Sequence, residues 1–351
     1  MNKREVTING RSIGVDFPPY VVAELSANHN GSLEYALRTL EAAKAAGADA
    51  VKLQTYTPDT MTIDCKEKDF MVEGGLWDGY SLYDLYQWAQ TPFEWQKPLF
   101  EKARELDVTC FSTPFDESAV ELLEDLNAPA YKIASFEAID LALIKRVSET
   151  RKPVIISTGM AGLEEIDEAV DTARSSGCSE LILLHCISSY PAPAEQSHLR
   201  TLIDLADRYD VVAGLSDHTL GITVSLASAA LGASFIEKHF TLDRAQKGPD
   251  STFSIEPSEL RDLCAQTKIA WSALGRVNYE RKPAEEASLK FRRSLYAVQD
   301  IKQGEIIDST KVRRIRPGYG LAPKHLPAVI GKKARADISR GTAIQWELLD
   351  D

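Results

Sequence analysis

Fifty-two acidic residues against 40 basic ones give this 351-residue chain a net charge of −12, which argues against a general nucleic-acid binder. No run approaches the roughly 20 apolar residues of a membrane helix, and the start, Met1-Asn2-Lys3-Arg4-Glu5, lacks the apolar core of a signal peptide, so a cytoplasmic protein is expected. The five cysteines are scattered and form no CxxC, as for reduced thiols in a cytosolic enzyme.

Eight short apolar runs follow one another, each ending in polar residues. Val21–Leu25 carries Glu24 and leads into Ser26 and Asn28; Ala50–Leu53 carries Lys52 and precedes Gln54. Val108–Phe111 ends in Ser112-Thr113, and Ala130–Ala134 carries Lys132 and ends at Ser135. Val154–Ile156 ends in Ser157-Thr158, and Leu181–Leu184 in His185-Cys186. Val211–Leu215 ends in Ser216-Asp217-His218, and Ser234–Ile236 in Glu237-Lys238-His239. Continuous apolar runs of this length suit strands buried on both faces of a parallel sheet. With helical segments between them, the pattern predicts a (β/α)8 TIM barrel with catalysis at the C-terminal strand ends.

The expected helices include Ser32–Ala46, capped by Ser32 and stopped by Gly47, and Pro92–Glu105, with Thr91 as N-cap and Pro92 at N1. Glu164–Ser176, Thr219–Leu231 and Pro257–Leu274 complete the set. An aromatic-rich insertion, Asp59–Pro92, follows the second strand and either covers a substrate or packs as an extra helix on the rim. Gly275–Ala287 reads as a linker, and Phe291–Leu349 as a small domain with two related turns, DIKQGE (300–305) and DISRGT (337–342). Residues 287–351 hold 13 Lys and Arg against 7 Asp and Glu, which leaves +6 there and −18 on the rest. A basic tail on an acidic body fits oligomer docking or anion capture better than nucleic-acid binding, as no long basic run or aromatic platform accompanies it.

His218 and His239 close neighbouring strands, so their imidazoles can share a metal with positions left open, or each can make an ordinary hydrogen bond. Glu24 and Glu237 suit general acid–base work, while Asp217 and Asp250 suit orienting imidazoles or holding hydroxyls; for each carboxylate a structural role competes. Lys52 and Lys132, among Thr113, Ser135, Ser157 and Ser216, fit a phosphate or carboxylate nest, with a Schiff-base lysine as the competing role. Cys186 is read as packing rather than nucleophile, His185 as a core histidine, and His29 as either substrate-binding or loop-shaping. His198 and His325 are placed in loops.

Together these stretches resemble the phosphoenolpyruvate-dependent nonulosonic (sialic-type) acid synthases: AELSANHNGS (23–32), GADAVKLQTYTPDTMT (47–62), FSTPF (111–115), YKIASFE (131–137), ISTGM (156–160), GLSDHTLG (214–221), EKHFTLD (237–243) and RIRPGYGL (314–321). Within that family, 74–95 and IASFEA (133–138) resemble the pseudaminic acid branch. The sialic branch shows Ser-Gly-Glu where this chain has Ser135-Phe136-Glu137, and Asn where it has Ser188; legionaminic, sialic and spore-coat acceptors remain alternatives. The resemblance implies a barrel (1–275), a linker (276–290) and an antifreeze-like SAF domain (291–351), in a domain-swapped homodimer. It also implies condensation of phosphoenolpyruvate with 2,4-diacetamido-2,4,6-trideoxy-altrose, with release of phosphate by C–O cleavage. Lys52, Thr113, Lys132, Ser135, Ser157 and Ser216 would hold phosphoenolpyruvate. His218 and His239 would hold Mn²⁺ or Mg²⁺, with Co²⁺ a further candidate. Glu24 and Glu237 would be catalytic, and Tyr190, Asp250 and Arg316 would contact the sugar. Neither nucleic acid nor membrane is expected as a partner.

Overall fold

In the computed structural model, which describes residues 4–350, the eight apolar runs are parallel strands closed into one barrel. A hairpin of β1 (Val6–Ile8) and β2 (Arg11–Ile13) comes first. Its turn, Asn9-Gly10, has positive φ at both residues, the two-residue hairpin geometry that Asn-Gly favours. Sequence reading overlooked this signal. The barrel strands are β3 (Tyr20–Glu24), β4 (Ala50–Thr55), β5 (Thr109–Pro114), β6 (Tyr131–Ile133), β7 (Val154–Ser157), β8 (Leu181–Cys186), β9 (Val212–Asp217) and β10 (Phe235–His239).

Helices separate them: α1 (Leu33–Ala46) after β3, then α2 (Pro58–Met61), α3 (Leu82–Ala89) and α4 (Phe93–Glu105) after β4. Next come α5 (Glu117–Asp125), α6 (Leu141–Ser148), α7 (Leu163–Ser175), α8 (Thr201–Tyr209), α9 (Thr223–Ala230) and α10 (Pro257–Leu274). Ser32 caps α1 through the amide of Tyr35, as expected. The expected Glu164–Ser176 runs one residue earlier, as Leu163–Ser175, and two helix starts differ for local reasons. The N-cap of α4 is Pro92, not Thr91, and it offers no side-chain cap. α9 begins at Thr223, not Thr219, because Asp217 Oδ1 accepts from both the amide and hydroxyl of Thr219 and holds 219–222 as a loop.

Two cores follow from the alternation of side chains along the strands. Val22, Ala50, Phe111, Ala130, Ile155, Ile182, Leu184, Val212 and Phe235 fill the barrel interior, closed at its N-terminal end by Val6, Ile8 and Ile13 of the hairpin. Val21, Val51, Ile133, Ile156, Leu183 and Ile236 point outward against the helices. Gly214 is required here: a Cβ would lie 2.3 Å from the carbonyl oxygen of Phe235.

The chain divides into two compact units, Met1–Gly275 and Arg276–Asp351. Part of the polar stretch read as linker is a 3-10 helix, Pro283–Phe291. β11 (Ser294–Ala297) and β12 (Val312–Ile315) pair antiparallel, and a short helix α11 (Leu326–Val329) follows. The two related turns pair with each other: Ile301 and Ile338 exchange backbone hydrogen bonds of 2.8 Å each way. Asp300 accepts from the Arg340 amide and Asp337 from the Gln303 amide, so the repeat in sequence is a repeat in structure.

Candidate active site

Inside the barrel, every second residue points to the axis. The inward positions are apolar at the N-terminal end and polar at the C-terminal end. Continuing the parity of the interior core puts Glu24, Lys52, Gln54, Thr113, Lys132, Ser157, Cys186, Ser216, Glu237 and His239 on the inside. Register brings them together: Glu24 lies opposite both Lys52 and His239, and Glu237 opposite Ser216.

The centre is a buried charge cluster. Lys52 Nζ sits 3.1 Å from Glu24 Oε2 and 2.9 Å from Glu237 Oε1, and Lys132 Nζ sits 4.0 Å from the same Glu237 oxygen. The Ser216 hydroxyl donates to Glu237 at 3.0 Å, Gln54 Nε2 donates to Glu24 at 3.1 Å, and Lys132 also donates to the Ile133 carbonyl at 3.1 Å. Thr113 Oγ1, Ser157 Oγ and Glu237 Oε2 are buried with no hydrogen-bond partner. The two unpartnered hydroxyls, beside two ammonium groups, are donors that a polar anion would satisfy. Ser135 stands at the edge of the cluster, its hydroxyl 2.7 Å from that of Ser188. Sequence reading did not mark Gln54 as a site residue, although its place two residues after Lys52 was the available signal.

Electrostatics divides the two carboxylates. Burial pushes Glu24 well above the ordinary carboxylate range, only partly opposed by Lys52, and the charge of Glu237 adds to the rise. Burial pushes Glu237 the same way, but Lys132 and Lys52 outweigh it and hold Glu237 below that range. Burial lowers Lys132 to about 8, against the attraction of Glu237, whereas the two carboxylates overcome burial at Lys52 and raise it.

The second cluster is aromatic. The rings of His218 and His239 lie 5.4 Å apart; Tyr190 stands 4.4 Å from His218 and Phe253 4.9 Å from His239. His218 Nδ1 is 2.9 Å from the Ile187 carbonyl; a carbonyl only accepts, so Nδ1 donates to it, which leaves Nε2 as the nitrogen available to a metal. His239 Nδ1 is buried without a hydrogen-bond partner, 3.8 Å from Asp250 Oδ2. Asp250 in turn accepts from the Ser26 hydroxyl. An imidazole fixed by a backbone carbonyl and a second with a free nitrogen fit an open two-histidine metal site. Among the described residues, no group of three or more His, Cys, Asp or Glu is placed to hold a metal ion.

Asp217 does not serve this site. It ends β9 on the outward parity, where Lys238 Nζ donates to it at 2.9 Å and the Thr219 and Ser225 hydroxyls add hydrogen bonds. Lys238 also donates to the Thr219 carbonyl at 2.6 Å, so this fully buried pair clamps the backbone on both sides of His218. Removing one partner strands a buried charge, a loss of about 3–5 kcal/mol. Asp217→Ala is therefore expected to lower the urea midpoint of the barrel sharply, and Asp217→Ala/Lys238→Met to recover most of it. A double variant as unstable as the single one would contradict the clamp.

The other histidines have structural places. His185 Nε2 lies 2.6 Å from the Ser197 carbonyl, and His29 lies between the Ala89 carbonyl and the Gly31 amide, where it shapes the loop. His198 sits in a loop, while His325 ends a 3-10 helix, Pro323–His325, rather than a loop. Cys186 Sγ is 3.7 Å from His218 Nδ1, a proximity that sequence spacing did not reveal. Arg316 lies exposed in the second unit, directly after β12.

Residues 39–279 match the NeuB family and residues 292–350 match the SAF domain. The chain belongs to the NeuB family. It is 42% identical to a pseudaminic acid synthase of Campylobacter jejuni over 95% of this chain and 97% of that one. It is 43% identical to a pseudaminic acid synthase of Helicobacter pylori over 93% and 96%. The structure of N-acetylneuraminic acid synthetase from Leptospira borgpetersenii, in complex with citrate, superposes with a TM-score of 0.73 at 31% identity, covering 83% of this chain and 96% of that one. This NeuB-family chain is thus a TIM-like barrel followed by a SAF domain, and its polar cluster occupies the barrel's C-terminal face. Among the described residues no helix is long and apolar enough to cross a membrane.

Proposed function

We propose that the protein is a cytoplasmic pseudaminic acid synthase, which condenses phosphoenolpyruvate and water with open-chain 2,4-diacetamido-2,4,6-trideoxy-altrose to give pseudaminic acid and phosphate. The observation that carries the chemistry is the buried pair of ammonium groups, Lys52 and Lys132, set beside two carboxylates of opposite proton affinity. Identity to the C. jejuni and H. pylori pseudaminic acid synthases over nearly the whole chain supports the acceptor.

Lys52 and Lys132 bind the carboxylate and phosphate of phosphoenolpyruvate, and the hydroxyls of Thr113, Ser135, Ser157 and Ser216 complete the cradle. Tyr190 and Asp250 orient the sugar. His218 and His239 would hold a divalent metal, Mn²⁺ or Mg²⁺, which supplies Lewis acidity at the aldehyde oxygen. Carbon 3 of the enol attacks the aldehyde carbon, the C=O π pair moves onto the aldehyde oxygen, and that oxygen takes its proton from Glu24, which its raised proton affinity keeps protonated at the start. Positive charge develops at carbon 2, where Glu237, kept ionised by the two lysines, stabilises it. Water adds at carbon 2 and gives its proton to Glu24, whose raised proton affinity suits a base working near neutrality. The carbon 2–oxygen bond then breaks, its electron pair leaves with phosphate, which takes up the remaining hydroxyl proton, and carbon 2 is left as the ketone. The resemblance also supports a domain-swapped homodimer in which Arg316 of the basic SAF unit serves the partner's barrel.

Phosphoenolpyruvate labelled with ¹⁸O at the bridging oxygen tests the chemistry. C–O cleavage is expected to deliver the label to inorganic phosphate, with no borohydride-trapped pyruvate on Lys52 or Lys132. Label retained in the sugar acid, or a trapped lysine adduct, would refute it.

A further inference from the structure

The insertion after β4 carries a feature that the proposed chemistry does not use. The Val72 amide donates to the Tyr80 carbonyl at 2.9 Å, and the Gly79 amide donates to the Val72 carbonyl at 3.0 Å. Met71 and Ser81 pair as an antiparallel bridge, so residues 71–81 form a closed finger. Gly74, Gly75 and Gly79 all take positive φ, which lets the chain reverse within so few residues. Residues 73–76 and 78–80 are exposed, and Trp77 alone between them is half-buried.

Trp77 is anchored onto the site. Its indole N–H donates to the Pro249 carbonyl at 3.0 Å, next to Asp250, and its ring lies 5.7 Å from that of Tyr190. Tyr190 packs in turn on His218 at 4.4 Å and on Phe253 at 5.2 Å. Outward from the imidazole pair, the order is therefore His218, Tyr190, Trp77. The indole has one donor and no acceptor, and that donor is already engaged. What Trp77 offers a ligand is ring surface.

We propose that Trp77 is a specificity-determining residue for the acceptor, closing with Tyr190 an apolar wall that receives the deoxygenated, methyl-bearing end of the sugar chain. This rests on the proposed function, which puts the aldehyde at the imidazole pair and so sends the far carbons outward past Tyr190. A methyl group or an acetamido methyl gains by burial against the two rings. A hydroxyl in the same place would lose water without finding a partner.

The test compares kcat/KM of the purified full-length enzyme for 2,4-diacetamido-2,4,6-trideoxy-altrose and for N-acetylmannosamine, which keeps its hydroxyls at carbons 4 and 6. Trp77→Gln is expected to cut the preference for the deoxygenated acceptor by about tenfold, the scale of one methyl-sized contact. The KM for phosphoenolpyruvate is expected to stay within about twofold, since the apolar wall does not touch the anion cradle. Trp77→Phe, which keeps a ring, is expected to retain most of the preference. A ratio unchanged in Trp77→Gln would overturn the inference, as would a rise in the phosphoenolpyruvate KM equal to that of the acceptor, because either marks Trp77 as a prop for the finger. Inactive wild-type enzyme with the altrose acceptor would remove the reading beneath it, an outcome visible before any variant is made.

Discussion

Alanine at His218 or at His239 is expected to abolish acceptor-dependent phosphate release while leaving the barrel folded. The two rings stand 5.4 Å apart over the mouth of the barrel, with Tyr190 and Phe253 packed around them. The backbone that carries His218 is held independently by the Lys238–Asp217 clamp, and His239 continues β10 in register with Glu24. Loss of either imidazole removes a ligand and a Lewis-acid contribution of several kcal/mol, so a fall of about a thousandfold or more is expected. Direct titration with Mn²⁺ should show binding lost in each variant, a readout independent of turnover. Either variant turning over at a substantial rate would sink the assignment of the histidine pair.

Lys132→Ala is expected to lower kcat/KM for phosphoenolpyruvate by roughly 10- to 100-fold, since one charged hydrogen bond is worth about 1.5–3 kcal/mol. Steady-state kinetics at varied phosphoenolpyruvate measures it. The charge is also pH-dependent in a defined sense. Burial lowers Lys132 to about 8, so the ammonium is present below that pH and is lost as pH rises through it. The phosphoenolpyruvate KM of the wild type should therefore climb above about pH 8. In Lys132→Arg, whose guanidinium stays charged, the KM should be flat over the same range. An identical rise in both would assign the pH effect elsewhere.

Much of this molecule is legible in its sequence because the barrel repeats one simple pattern. Eight apolar runs, each with polar residues at its end, locate β3 to β10 to within one or two residues at most boundaries. The charge cluster follows from the same pattern. Glu24, Lys52, Lys132 and Glu237 all fall at strand ends, and register then makes them neighbours. Asp217 shows where position alone misleads. It sits at a strand end like the others, but one residue beyond the inward-facing Ser216, so it turns outward to Lys238. Counting parity from Val212 would have separated the two. Trp77 was out of reach for a different reason. Its contacts to Pro249 and Tyr190 span more than a hundred residues, and no periodicity within 71–81 announces them. The N-terminal hairpin was overlooked although Asn9-Gly10 was visible, since three-residue strands carry almost no alternation to read.

The most direct test is phosphate release from phosphoenolpyruvate with Mn²⁺, measured with three acceptors: 2,4-diacetamido-2,4,6-trideoxy-altrose, N-acetylmannosamine and the legionaminic acid precursor. Strong preference for the altrose sugar is the expected result. Turnover with another acceptor alone would keep the chemistry but move the protein to a sister branch, and no phosphate release with any of the three would contradict the proposed function itself.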